Sequence, residues 1–398
     1  MQPIKKIVIV AGEASGDHHA ASFVRHLKEK HKNLEFSGIG GVHMKNEGVK
    51  ILTDLSSCSS TGLSGILVNL NVFIKAFKQI KKYLKETKPD LLVLVDYPEF
   101  NLRLAKYAKL KLGIKIVYYI SPQIWAWKAK RINTIKSCID HMAVILPFEK
   151  KFYENANVKC SFVGNPLVKK IIPCNDVNKT RIAFNLPIEK KIIAMLPGSR
   201  KKEIENHMPI LAKTAENLSY KFKELHFVIP VASTINPDLI KYYLNNSNFS
   251  YTIIVGKAIE VVSCCDFAVV ASGTASLECA LLLKPMCIIY KSSVLTYMAA
   301  MKLIKVKYLG LCNLLQNEMI VPELLQYDFN AIELTKMISE LLTNKDLTSK
   351  MQLRLQQLKK SMSLEQADRT ISEVIEHEIG LNMIISLGKV SQLNDSEA

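Results

Sequence analysis

Short apolar runs alternate with amphipathic stretches along the first 330 or so residues. The runs at 6–11, 91–95, 115–120 and 141–146 are continuous rather than alternating, too short for helices and rich in Val and Ile. That pattern predicts strands buried on both faces. Between them, apolar residues spaced three and four apart predict helices near 16–30, 65–85, 102–112 and 148–155. The second half repeats the habit, with strands near 191–196, 226–231, 251–255, 266–271 and 286–290. Regular alternation of strand and helix argues for an α/β fold of parallel sheets covered by helices. A polar stretch from Gly164-Asn165-Pro166 to 179 divides the halves. The pattern predicts two Rossmann-like domains facing a cleft, 1–165 and 166–345. A helical tail, 346–398, then returns to the first domain or is exchanged with a second subunit of a homodimer.

The strand ends carry the candidate chemistry. The run 192–196 leads into Pro197-Gly198-Ser199-Arg200, and a charged helical pattern starts at Lys201. Backbone N–H groups and a guanidinium beside a helix N-terminus suit a phosphate or diphosphate. The run 266–271 leads likewise into Ser272-Gly273-Thr274 and a helix carrying Glu278. Two such turns at neighbouring strand ends suggest a nucleotide or nucleotide-sugar pocket. The first strand runs into Gly12-Glu13-Ala14-Ser15-Gly16-Asp17. These residues allow a ligand close to the backbone, or form a tight loop with Asp17 capping the helix. The spacing is not that of a dinucleotide fingerprint. Asp96, at the end of 91–95, is a candidate general base or a turn residue. Trp125 and Trp127, after the strand 115–120, either line a pocket or fill a core corner.

Composition narrows the setting. With 48% hydrophobic and 22% charged residues the chain reads as globular. Nine scattered cysteines without a C-x-x-C pair read as reduced core residues of a cytoplasmic protein. The apolar run at 7–11 is too short for a signal peptide, and no run reaches bilayer length. The net charge of +17 fits nucleic acid, an anionic membrane, phosphorylated substrates or simple lysine-rich codon usage. The clearest amphipathic helix carries Ile66, Leu70, Phe73, Phe77, Ile80 and Leu84 on one face. Lys75, Lys78, Lys82 and Lys85 lie on another, with Lys81 nearby. It suits a membrane surface, or a sheet with solvated lysines. The stretch 297–308 is again apolar and basic. No Asp-x-Asp, H-E-x-x-H, P-loop or G-x-S-x-G motif occurs, so neither a metal nor a cofactor is expected.

Taken together, several segments resemble the lipid-A-disaccharide synthase family. They are Ala-Gly-Glu-Ala-Ser-Gly-Asp at 11–17, Asp-x-Pro-x-Phe-Asn at 96–101 and Ser-Pro-x-x-Trp-Ala-Trp at 121–127. Leu-Pro-Phe-Glu at 146–149, Leu-Pro-Gly-Ser-Arg at 196–200 and Ser-Gly-Thr-Ala-x-Leu-Glu at 272–278 follow. Asn313-Leu314-Leu315 and Val321-Pro322-Glu323-Leu324-Leu325-Gln326 complete the series. The resemblance implies a GT-B-type inverting glycosyltransferase. Family members join a UDP-2,3-diacylglucosamine donor to a 2,3-diacylglucosamine 1-phosphate acceptor, giving a β-1,6-linked disaccharide 1-phosphate and UDP. It implies Asp96 as base, Arg200 at the diphosphate, Glu278 at the ribose and Asn313 as a functional residue. Gly198, Ser199, Ser272, Gly273, Thr274 and Glu323 complete the implied donor site. Gly12, Glu13, Ser15, Gly16, Asp17 and Trp125 line the cleft. Ile66, Leu70, Phe73, Phe77 and Lys78 would face lipid on the cytoplasmic side of a Gram-negative inner membrane, with no nucleic-acid partner. The chain departs from the family pattern at Thr61 to Ile66, His43, Asn165 and Cys312, which bears on acceptor choice. The competing readings are another GT-B UDP-sugar enzyme, an epimerase included, and a non-catalytic nucleic-acid-binding protein.

Overall fold

A computed structural model of the chain describes residues 3–55, 66–126, 128–245, 247–293, 297 and 307–381. The backbone separates into two compact units. One comprises Met1–Ile124, Lys128–Gly164 and Ala367–Ala398; the other comprises Trp125–Trp127 and Asn165–Gln366.

The first unit is built on seven parallel strands: β1 (Lys5–Ala11), β2 (Leu34–Ile39), β3 (Lys50–Thr53), β4 (Leu91–Val95), β5 (Ile116–Tyr119), β6 (His141–Val144) and β7 (Cys160–Phe162). Successive strand residues point to opposite faces, and both faces are covered. Val8, Val10, Leu92 and Leu94 enter one core, beneath the helices Ile66–Thr87 and Pro98–Leu112. Ile7, Ile9, Leu91 and Val93 enter the other, beneath the helix Ala14–Lys30. This double burial explains why the runs are apolar throughout. The strand order is β3-β2-β1-β4-β5-β6-β7. The chain works outward from β1, then crosses back to β4. The reversal leaves a crevice at the C-terminal ends of β1 and β4, where α/β ligands bind.

The second unit repeats the plan with β8 (Lys191–Leu196), β9 (Leu225–Val231), β10 (Tyr251–Val255), β11 (Phe267–Ala271), β12 (Met286–Tyr290) and β13 (Glu323–Leu325). Its order, β10-β9-β8-β11-β12-β13, reverses between β8 and β11. Two parallel sheets, each reversing its strand order once, are the two Rossmann-like halves that the sequence pattern predicts. Every strand expected from an apolar run is present. The apolar-run criterion passes over β2, β3, β7 and β13.

The C-terminal helices divide between the units. Ala331–Thr343 and Lys345–Ser361 belong to the second, while Ile371–Glu378 packs on the first. Val374 and Ile375 join the core that holds Ile7 and Ile9. Glu376 meets His31 at 3.0 Å and Lys30 at 3.6 Å. Glu378 meets His141 Nδ1 at 3.0 Å, and the other ring nitrogen of His141 lies 2.9 Å from Ser161 Oγ. Burial opposes ionisation of Glu378, but hydrogen bonds from His141 and Lys159 overcome it and hold the carboxyl far below its ordinary value. Among the described residues no helix is long and apolar enough to cross a membrane.

Candidate active site

At the first reversal, the register Ala11↔Val95 sets Gly12 beside Asp96. Asp96 (φ 46°) and Tyr97 (φ 49°) are both left-handed, an uncommon state for consecutive residues with side chains. Two side chains hold the turn by one carbonyl. Tyr118 Oη and Asn101 Nδ2 each donate to the Asp96 oxygen at 2.7 Å. Burial raises the Tyr118 hydroxyl well above its ordinary pKa, which keeps it a donor. A Cβ on Gly12 would lie 2.1 Å from the Tyr97 ring. Glycine here therefore makes room for Tyr97.

Burial pushes the Asp96 carboxyl up from 3.8 to about 6, and the neighbouring Glu13 carboxylate adds to the shift. A carboxylate titrating there is ionised at neutral pH yet basic enough to take a proton from a hydroxyl. Glu13 itself is half-buried at the start of the helix Ala14–Lys30. Ser15 is exposed, and a Cβ on Gly16 would lie 3.6 Å from Val95 Cγ1, an ordinary contact. Asp17 is 1% exposed and does cap a helix, though not its own. Its Oδ1 accepts from the N–H of Gly41 (2.7 Å) and Met44 (3.1 Å), and Oδ2 from that of His43 (2.9 Å). That ties the helix Val42–Asn46 to the first loop and leaves Asp17 committed to backbone.

At the second reversal, Val270 pairs with Leu196, so the turns after β8 and β11 lie side by side. The turns differ. Gly198 (φ 121°) and Ser199 precede the helix Lys201–Lys221, whose N-cap is Arg200. The N–H groups of Ser199 and Arg200 donate to Glu203 Oε2 at 3.0 and 3.2 Å. Arg200 Nη1 donates to Glu203 Oε1 at 3.0 Å. The N–H groups expected to be free are thus satisfied within the chain. Glu203 supplies the carboxylate half of a capping box, and Arg200, which has no acceptor, cannot supply the other half. By contrast, the helix Thr274–Leu281 has no side-chain cap. Among the described residues no atom lies within 4 Å of where a Cβ on Gly273 (φ 146°) would be. Thr274 is exposed at its first position. Glu278, one turn on, is half-buried, and burial raises its carboxyl while Lys170 opposes the shift.

Asn313 and Glu323 support this edge from within. Asn313 is fully buried. Its amide donates to Val321 O and Glu323 Oε1, both at 2.7 Å, and its oxygen accepts from Val321 N–H at 2.9 Å. Glu323 also accepts from the N–H groups of Leu309 and Gly310 at 3.0 Å. Ser272 Oγ donates to Leu309 O at 3.1 Å, joining that loop to the Gly273 turn. Two further struts were given no role in the sequence reading. His207 is buried and held neutral by burial, which lowers its pKa. Its Nδ1 donates to Pro197 O (2.6 Å) and its Nε2 accepts from Lys291 N–H (3.0 Å), so the partners fix the tautomer. Gln326 grips Ser292 through both of its amide atoms, at 3.1 and 2.9 Å.

Trp125 is half-buried, and Glu99 holds Lys128 (2.9 Å) and Arg131 just beyond it. Phe73 and Phe77 pack edge-on against Phe100, with centroids 4.9 and 5.3 Å away, so this part of the stripe is half-buried on the domain's own core. Lys75, Lys78, Lys82 and Lys85 are exposed. Lys81 lies over the Tyr107 ring at 4.1 Å. The side chains of Ile66 and Leu70, together with Trp127, residues 61–65 and most of 297–308, lie outside the described residues.

Comparison with known proteins places this geometry in a family. Residues 7–377 match the family model described as Lipid-A-disaccharide synthetase. The chain is 58% identical to lipid-A-disaccharide synthase 1 of Legionella pneumophila (strain Lens), covering 95% of this chain and 99% of that protein. It is 36% identical to lipid-A-disaccharide synthase of Geobacter sulfurreducens, covering 94% and 97%. Solved structures of similar fold include the UDP-GlcNAc 2-epimerase from Neisseria meningitidis bound to UDP-GlcNAc. It has a TM-score of 0.61 at 14% identity, covering 95% and 100% of the two chains. A glycosyltransferase from Rickettsia africae has a TM-score of 0.55 at 14% identity, covering 96% and 99%. The motifs at both sheet reversals and the match along nearly the whole length agree: the chain belongs to the lipid-A-disaccharide synthetase family.

Proposed function

We propose that this protein is an inverting glycosyltransferase that makes the lipid A disaccharide. It condenses UDP-2,3-diacylglucosamine with 2,3-diacylglucosamine 1-phosphate, releasing UDP. The observation that carries the chemistry is Asp96, a carboxylate buried at the end of β4 and pushed up to about 6. In this reading Asp96 takes the proton from the acceptor's 6-hydroxyl as that oxygen attacks the anomeric carbon. One displacement inverts the centre and needs no covalent intermediate. The leaving UDP is stabilised by the uncapped N-terminus at Gly273 and Thr274 and by the exposed Arg200 guanidinium. Glu278 meets the ribose. Asn313 and Glu323 act by holding the loop at Leu309 and Gly310 against Ser272. Membership of the family favours this reading over an epimerase or a nucleic-acid-binding protein.

Both substrates carry acyl chains, so the enzyme works at a membrane surface. The exposed Lys75, Lys78, Lys82 and Lys85 supply the attraction, each worth about 1 kcal/mol close to anionic lipid. The purified protein incubated with both acylated substrates should yield the disaccharide 1-phosphate and UDP by mass analysis. Absence of both products sinks the proposal. Replacing the four lysines by Gln should reduce flotation with anionic vesicles and leave UDP binding unchanged; unchanged flotation would move the membrane face elsewhere.

A further inference from the structure

We propose that Glu203 is a built-in competitor for the nucleotide's diphosphate, setting how tightly UDP is held and how readily it leaves. The inference rests on the donor-site reading above. The Glu203 side chain is 14% exposed, while the Arg200 side chain it pairs with is 80% exposed. One Glu203 oxygen takes two backbone N–H groups and the other takes the guanidinium. Two backbone N–H groups and the guanidinium, donors that an arriving phosphate would use at this turn, already meet an anion belonging to the chain. The turn is also shaped around that anion. A Cβ on Gly198 would lie 2.5 Å from Glu203 Oε2 and 2.7 Å from its Cβ. His207 fixes the other side of the turn through Pro197 O, so Glu203 rests on a rigid support.

Among the described residues the neighbouring turn has no such occupant. A diphosphate seated at Gly273 competes with the Glu203 carboxylate for the Arg200 guanidinium, which Glu203 holds through Nη1. After transfer the same carboxylate reclaims Arg200, and UDP is released. Exposed ion pairs are weak, so the competition amounts to about two- to five-fold in affinity, enough to tune release without blocking entry.

Glu203→Gln separates the two roles of the side chain. Its amide oxygen still caps Ser199 and Arg200, while its NH2 group repels the guanidinium. By calorimetry on the full chain, E203Q should bind UDP about two- to five-fold tighter, and product inhibition by UDP should strengthen by the same factor. In the R200A background the gain should vanish. Thermal melting monitors the fold; if E203Q melts early, Glu203→Asp, too short to reach both partners, should show the same gain. Equal or weaker UDP binding by E203Q, with R200A still weakening it, overturns the proposal and leaves Glu203 a helix cap. A gain that survives in R200A overturns it as well. An R200A variant with undiminished UDP affinity overturns the donor-site reading itself.

Discussion

The two sheets reverse their strand order in the same way and use the resulting crevices oppositely. Between β1 and β4 the chain buries a carboxylate in a left-handed turn beside a second carboxylate, and the proton affinity of Asp96 rises. Between β8 and β11 it exposes a guanidinium beside an uncapped helix N-terminus. In the proposed reading one topology makes a proton acceptor in one unit and an anion holder in the other. The difference lies in which side chains the short loops carry, and so function is read from loops while fold is read from strands.

Substitutions at the two reversals should therefore move different constants. The largest effect is expected from Asp96→Asn, which keeps the shape and removes the base. Turnover should fall about 10²-fold or more, with UDP affinity little changed. The same variant should be more stable. The folded-state value near 6 lies above the ordinary 3.8. Ionised Asp96 therefore costs stability; the cost is absent well below pH 3.8, grows as pH rises and is complete above about 6. Asp96→Asn should gain on the order of 1–3 kcal/mol at neutral pH and nothing in acid, by thermal melting. Near-normal turnover would move the base elsewhere.

Arg200→Ala should do the reverse, weakening UDP binding by about 1.5–3 kcal/mol in calorimetry. A variant that loses turnover while holding UDP normally would erase the contrast between the crevices. Gly12→Ala comes next. The new methyl must displace the Tyr97 ring, costing about 1–3 kcal/mol of stability and lowering turnover through the Asp96 turn. Unchanged melting and turnover would mean that the turn does not depend on that packing. The smallest expected effect is that of Glu13→Gln. Removing a negative neighbour lowers the Asp96 value, so the acid limb of the kcat/KM profile, expected near 6, should move to lower pH. An unmoved or raised limb would take Glu13 out of the electrostatics of the base.

Much of this was legible in the sequence, and the omissions have physical causes. Strands buried on both faces announce themselves as apolar runs, as β4 and β8 do. β2 reads Leu-Glu-Phe-Ser-Gly-Ile, with Gly38 so close to Ile9 that a Cβ would sit 1.8 Å from its carbonyl oxygen. β7 and β13 have three residues each, too few for any period to show. The turns at Gly198 and Gly273 look alike in sequence because strand, glycine and helix recur in both. Each glycine is followed five residues later by a glutamate. What separates the turns is where the helix starts. Arg200 is the first N-cap, so Glu203 reaches back to the turn, whereas Gly273 is the second, which puts Glu278 farther into its helix. Asp17 was legible as a cap, but only the fold supplies the helix Val42–Asn46 that it caps. Tyr118 and His207 act on partners that only the fold brings to them, and no local spacing marks them; Gln326 ends a segment that carries the resemblance, but its partner Ser292 lies 34 residues away.

The helix Ile371–Glu378 has a consequence for how the protein is made. The first unit lacks one of its covering helices until the last part of the chain leaves the ribosome. About 200 residues separate Gly164 from that helix, roughly 10–40 s of synthesis at 5–20 residues per second. Through that interval the nascent N-terminal sheet has Ile7 and Ile9 without Val374 and Ile375, and His141 without Glu378. The second unit is complete at Gln366, before that helix has been made. The half of the enzyme that is translated first is therefore the half that finishes folding last.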